Sequence, residues 1–167
     1  MHTPSKLLEV APNFHDENLE FRIFLKANAD SDELDGYFQK FHEELFDGYD
    51  CCSCSNCCRA FNICFSDDDI KVAAKGLGMT EDRFISDYLK KDEDNEYILL
   101  PPCVFLEQNG RCSIQEYKPE DCKGFPFTAF PSRIECLYSV MDFASVCPIV
   151  FEIVERLKKV YRFKSKR

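Results

Sequence analysis

The chain has 167 residues, 45% hydrophobic and 31% charged, with no Trp but 16 Phe and 7 Tyr, enough to bury a core in one domain. Its formal net charge of −9 repels phosphate and argues against nucleic-acid binding. No apolar run reaches the ~18–20 residues of a membrane span, and the N-terminus lacks the long apolar core of a secretory signal, so a soluble cytoplasmic protein with no membrane partner is expected.

In chain order, residues 14–27 mix Phe14, Leu19, Phe21, Ile23, Phe24 and Leu25 with charges, a pattern that admits a helix or a strand followed by a turn. Asp32 predicts the cap of a helix to about Phe46, with Leu34, Phe38, Phe41, Leu45 and Phe46 as its core stripe. Gly48 ends it, and a cysteine cluster follows. Residues 60–65 alternate like a short strand. Ser66 predicts the cap of a helix to about Lys75, opening on Asp67, Asp68 and Asp69. Thr80 predicts another cap, for a helix through about Lys90, and residues 92–96 read as an acidic loop. Tyr97 to Leu100 reads as a strand stopped by Pro101 and Pro102. Cys103 to Glu107 and Arg111 to Ile114 flank Asn109-Gly110, a hairpin signal. Pro119 suits the first position of a short helix, residues 124–133 a loop, and Arg133 to Val140 a strand. Pro148 opens a final helix, whose cations Lys158, Lys159, Arg162, Lys164, Lys166 and Arg167 suit a solvated C-terminal end.

The expected fold class is α+β: a single small helix-rich domain with a short β-hairpin or sheet, organised around a cysteine metal centre. Residues 1–50 form an N-terminal helical segment, 51–150 the cysteine-cluster core, and 148–167 the last helix and basic tail.

Eleven cysteines dominate the functional reading. Under reducing conditions such cysteines are metal ligands or catalytic thiols more often than disulfides, and an odd number cannot all pair within one chain. Cys51, Cys54 and Cys57 form two C-x-x-C steps in series, with Cys58 adjacent. A C-x-x-C turn lets two sulfurs meet one cation while backbone N–H groups stabilise the thiolates. Cys57 and Cys58 are expected to diverge, so further ligands are sought in Cys103, Cys112, Cys122 and Cys147, each at an element end. These eight allow two four-thiolate sites, a binuclear site, or one site with redox thiols.

Residues 51–58 resemble the C-x-x-C-x-x-C-C signature of the YkgJ-like cysteine-cluster family. Cys103-Val104-Phe105-Leu106 resembles its C-x-F-L. Cys112-Ser113-Ile114 resembles its C-x-I step, and Lys118-Pro119-Glu120-Asp121-Cys122-Lys123-Gly124-Phe125-Pro126 its R-P-x-x-C-R-x-F-P. Cys147-Pro148 resembles a late cysteine of many members. The resemblance implies a zinc- or iron-chelating domain; some relatives are described as flagellin lysine N-methylases or iron–sulfur oxidoreductases. Ser55, Gln115, Lys118 and Lys123 depart from the pattern, and lysine lacks the bidentate fork of arginine. Cys52, Cys64 and Cys136 fall outside it and read as buried or spare thiols.

All-cysteine ligation suits zinc or an iron–sulfur cluster and does not choose between them. His2, His15 and His42 lie far from the cysteines in sequence, which disfavours a histidine-rich site. Arg59, Lys118, Lys123, Arg111 and Arg133 surround the cysteines in sequence and read as charge balance for thiolates. No dinucleotide, phosphate-loop or nucleophile-elbow motif is present, and nothing marks an S-adenosylmethionine pocket. Three functions follow: a metal-binding protein with one or two polythiolate sites; an iron–sulfur redox or protein-modifying enzyme; or a zinc-stabilised adaptor whose acidic helix near 32–47 docks a protein partner.

Overall fold

The computed structural model describes residues 1–165, so Lys166 and Arg167 of the basic tail lie outside the described residues. The fold class is α+β: mostly helix, with one three-stranded antiparallel sheet. The chain divides into two compact units, one of Met1–Tyr49 with Pro126–Arg167 and one of Asp50–Phe125.

In the first unit, α1 (Pro4–Val10) is capped by the Thr3 hydroxyl, which accepts from the Lys6 amide, and a 3₁₀ turn (Ala11–Phe14) leads into α2 (His15–Asn28). The 14–27 ambiguity resolves to helix, with Asn18, Phe21 and Leu25 at helical spacing on the buried face. The next helix, α3 (Ser31–Phe46), begins earlier than expected. Its cap is Asp30 rather than Asp32: the Asp30 carboxylate accepts from the Asp32 and Glu33 amides at 3.1 and 3.0 Å. Asp32 instead lies in the first turn, where its charge suits the helix dipole.

The second unit opens with α4 (Cys51–Cys54) and α5 (Asn56–Ala60), separated by Ser55 in the left-handed region. Strand β1 (Ile63–Phe65) follows, then α6 (Asp67–Gly76) and α7 (Glu81–Tyr88). Ser66 caps α6 through a capping box with Asp69, and Thr80 caps α7. The latter helix stops at Tyr88, short of Lys90, because β2 (Lys90–Lys91) pairs with β3 (Tyr97–Leu99). The acidic 92–96 loop is therefore a hairpin turn, its Asp92 carboxylate accepting from the Asp94 and Glu96 amides at 2.9 Å each. In the sheet, β3 is central, with Ile63, Cys64 and Phe65 of β1 opposite Leu99, Ile98 and Tyr97. The hairpin expected around Asn109-Gly110 shrinks to a tight turn with one bridge, Leu106 to Cys112. Last comes α8 (Glu120–Gly124), for which Pro119 is the cap rather than the first residue.

Ile63, Phe65, Ile70, Ala73, Phe84, Leu89, Leu99, Phe105 and Ile114 form the core of this unit, with Cys103, Cys112 and Cys122 packed against it. Three of the cysteines in question thus rest on a rigid apolar base.

The first unit resumes with α9 (Leu137–Ala144) and α10 (Pro148–Val160). The strand expected over Arg133 to Val140 is overturned: Leu137, Val140, Met141 and Ala144 are buried at helical spacing, and this stripe outweighs the short alternation before it. Lys158 is not a solvated tail cation; its buried ammonium pairs with Glu17 at 2.8 Å and Glu155 at 2.6 Å. Among the described residues no single helix is long and apolar enough to cross a membrane; α9 and α10 pass that test only as a pair bent by 117°.

His42, in the first unit, meets the Thr128 hydroxyl at 2.8 Å and packs on the Phe46 ring. Desolvation lowers its pKa from the ordinary 6.5, against an opposing pull from Glu43. The neutral ring therefore belongs to the folded state. As pH falls below about 6.5, the unfolded chain protonates first and stability is lost. The melting temperature of the wild type is expected to drop more between pH 7.5 and 5.5 than that of His42→Gln; thermal melts at the two pH values check this.

Candidate metal centre

Hydrogen bonds bring together the cysteine segments of the second unit. The Cys103 amide donates to the Cys58 carbonyl at 2.8 Å, tying α5 to the chain after Pro102. The Ser55 hydroxyl lies 3.0 Å from the Cys52 carbonyl and 3.2 Å from the Gly110 carbonyl, joining α4 to the Asn109-Gly110 turn. The Ser113 amide donates to the Phe105 carbonyl at 2.9 Å, which holds Cys112 opposite Leu106. Helix α8 is held at the two residues that precede Cys122. The Asp121 carboxylate accepts from the Cys64 amide of β1 at 3.0 Å, and the Glu120 amide donates to Asp69 of α6 at 3.1 Å.

Between these segments lies a cavity of about 120 Å³, walled by the sulfur-bearing residues Cys51, Cys52, Cys57, Cys58, Cys103, Cys112 and Cys122. Phe61, Ile63, Leu106 and Phe125 supply apolar wall, and Lys118 and Asp121 supply charge. This is several times the roughly 10–15 Å³ that one water requires, so a metal ion or a small cluster has room. Among the described residues, no three His, Cys, Asp or Glu side chains are already drawn into a closed coordination group. A bound cation must displace the thiol protons before it can draw the sulfurs together.

Electrostatics single out Cys58. A hydrogen bond with the Cys57 thiol, helped by Lys118 and Arg59 and opposed by desolvation, draws Cys58 down to about 6. Burial pushes Cys122 up to about 12, with the Cys58 and Asp121 charges adding to it. Burial likewise raises Cys51, Cys103 and Cys112. The Cys58 charge opposes ionisation of Cys103, Cys112 and Cys122 alike. Lys118 favours the charged form of Cys51, Cys58, Cys112 and Cys122, the charge-balancing role expected of it. Lys123 is instead paired with Glu120 at 2.7 Å, and Arg133 belongs to the other unit, bonding the Pro131 carbonyl.

Of the eight cysteines singled out by sequence, Cys51, Cys57, Cys58, Cys103, Cys112 and Cys122 wall this cavity. Cys57 and Cys58 do not diverge as expected; they hydrogen-bond to each other and both line it. Cys54 is half-buried and does not line the cavity. Cys147 is buried at the cap position of α10 in the other unit. The cysteines read as buried or spare separate here: Cys64 and Cys136 are exposed, while Cys52 lines the cavity. Neither Cys52 nor Asp121, which also line the cavity, belongs to a ligand spacing. The available signal was the adjacency of Cys52 to Cys51, which on a helix leaves two neighbours about 100° apart and able to flank one space.

Gly110 sets how closely the turn approaches α4. Its φ is +84°, and a side-chain carbon there would collide with the Cys52 carbonyl. Gly110→Ala is expected to cost roughly 1–2 kcal/mol from the backbone alone, more from the collision, and to lower metal content with stability. Thermal melts and elemental analysis of the purified variant check this.

A family model described as "CxxCxxCC: Putative zinc- or iron-chelating domain" matches residues 50–148. No curated protein matches the chain, and no solved structure does.

Proposed function

The chain belongs to the CxxCxxCC zinc- or iron-chelating family, and from that premise we propose that its Asp50–Phe125 unit holds zinc or iron in a polythiolate centre drawn from Cys51, Cys57, Cys58, Cys103, Cys112 and Cys122. The observation that carries this is the walling of one small cavity by thiols from four separate segments, with a lysine among them. The donor set fits the group. Soft thiolates select zinc or iron over hard cations, the apolar wall limits water, and Lys118 offsets the negative charge that such a site accumulates. Bound zinc would supply a closed structural cross-link; iron with sulfide would supply electron transfer. The chain's own residues place the sulfurs, with Cys103, Cys112 and Cys122 fixed by the core and Cys57 and Cys58 brought in by the short α5. The family resemblance also counts Cys54 and Cys147, neither of which lines the cavity; metal content of Cys147→Ser tests the second.

Anaerobic purification of the full chain, followed by elemental analysis, a visible spectrum and a sulfide assay, tests the proposal. Near-stoichiometric zinc in colourless protein, or iron with sulfide in brown protein, supports it and names the metal. Protein without either metal, and unable to take one up, overturns it.

A further inference from the structure

We propose that Cys52, which lies outside the C-x-x-C-x-x-C-C spacing, is a metal ligand of this centre, and that Cys54, which lies inside it, is not. This rests on the metal-binding reading above. Spacing alone treats Cys51 and Cys54 as a ligand pair, as if they formed an open turn. In the structure residues 51–54 are wound as α4. Successive side chains on such a turn are about 100° apart. If Cys51 marks zero, Cys52 stands near +100° and Cys54 near −60°, so Cys52 and Cys54 point about 160° apart. The cavity is lined by Cys51 and Cys52 and not by Cys54. Its arc therefore spans the first two cysteines, and Cys54 stands outside it, about 60° beyond Cys51.

Three interactions hold this winding. The Asp50 carboxylate caps it, accepting from the Cys52 amide at 2.9 Å. The Cys52 carbonyl is engaged by the Ser55 hydroxyl and faces Gly110 so closely that no methyl group fits. Ser55, at φ 52° and nearly fully buried, ends the turn and redirects the chain, so that α5 presents Cys57 and Cys58 afresh. Beyond it the Cys54 carbonyl accepts from Arg59 at 3.3 Å.

The test compares the full-length wild type with Cys52→Ser, Cys54→Ser and, as a control, Cys64→Ser. Zinc affinity is read by chelator competition, and the number of bound sulfurs by the thiolate-to-cobalt charge-transfer absorption of the cobalt-loaded chains. Cys52→Ser is expected to weaken zinc at least tenfold and lower that absorption, while Cys54→Ser and Cys64→Ser stay within twofold. Unchanged affinity in Cys52→Ser, or a loss in Cys54→Ser instead, overturns the assignment and leaves the centre standing. A wild type that takes up no metal removes the centre and the role of Cys52 with it. Should a variant fail to fold, alkylation of the wild-type chain followed by mass spectrometry decides. Metal is expected to protect Cys52 and to leave the labelling rate of Cys54 unchanged; the reverse pattern overturns the proposal.

Discussion

Stripping the metal with a chelator is expected to release residues 50–62 and 118–125 to rapid amide exchange. Helices α4, α5 and α8 have four or five residues each, far below the ~12–15 at which an isolated helix becomes even marginal in water. Nor do they bury much: among Cys51 to Ala60 the only buried side chains are Ser55 and Asn56, both polar. What holds α4 and α5 is therefore chiefly the Cys103 to Cys58 bond and the Ser55 bridge, and what holds α8 is the pair of contacts at Glu120 and Asp121 with Cys122 against the core, each hydrogen bond worth about 1 kcal/mol net, plus whatever the metal contributes. A ligand present at 100 to 1,000 times its dissociation constant stabilises by about 3–4 kcal/mol, so exchange in these segments should accelerate by roughly 10²- to 10³-fold. Residues of α6 and α7, seated on the apolar core, should change far less. Exchange measured by mass spectrometry before and after confirmed metal loss checks this, and equal protection in both states would mean that the helices stand without the cation.

The division between the apolar core and the short cysteine-bearing helices also explains what the sequence disclosed and what it concealed. Helix starts at Ser66, Thr80 and Pro148 were legible because capping is decided within three or four residues. The cysteine candidates were legible because ligand spacing is a local pattern. The strand wrongly read over Arg133 to Val140 failed where a short alternation, Ile134, Cys136, Tyr138 and Val140, overlapped the start of a longer helical stripe. Two features of the cavity have a different origin. Whether Cys52 or Cys54 faces the other sulfurs depends on α4 winding as a helix and on Ser55 leaving it, and a spacing rule contains neither. The glycine of Asn109-Gly110 announced a turn, but not that the turn must press on the Cys52 carbonyl more than fifty residues away. Contacts of that range are set by packing, which no window along the chain records.

Phe84→Ala is the substitution expected to cost the most. Phe84 is fully buried on α7, with ring centroids 5.6 Å from Phe65, 5.3 Å from Tyr88 and 6.2 Å from Phe105. Removing so large a ring from a close-packed core loses its transfer energy and leaves a cavity, about 3–5 kcal/mol together. That is a large part of the 5–15 kcal/mol by which folded domains are stable, and Phe84→Leu should recover more than half of it. The effect should reach the metal as well. Phe84 is not among the residues lining the thiol cavity, yet Cys103, Cys112 and Cys122 pack against the same core, and Phe105 lies between Cys103 and the turn. If that core holds the sulfurs at their spacing, Phe84→Ala must lose metal affinity, and Phe84→Leu should regain it in step with stability. Denaturant titration and chelator competition on the two variants measure the two losses side by side. A Phe84→Ala protein that is several kcal/mol less stable but binds zinc as tightly as the wild type would show that the cation, rather than the aromatic core, sets the positions of its own ligands.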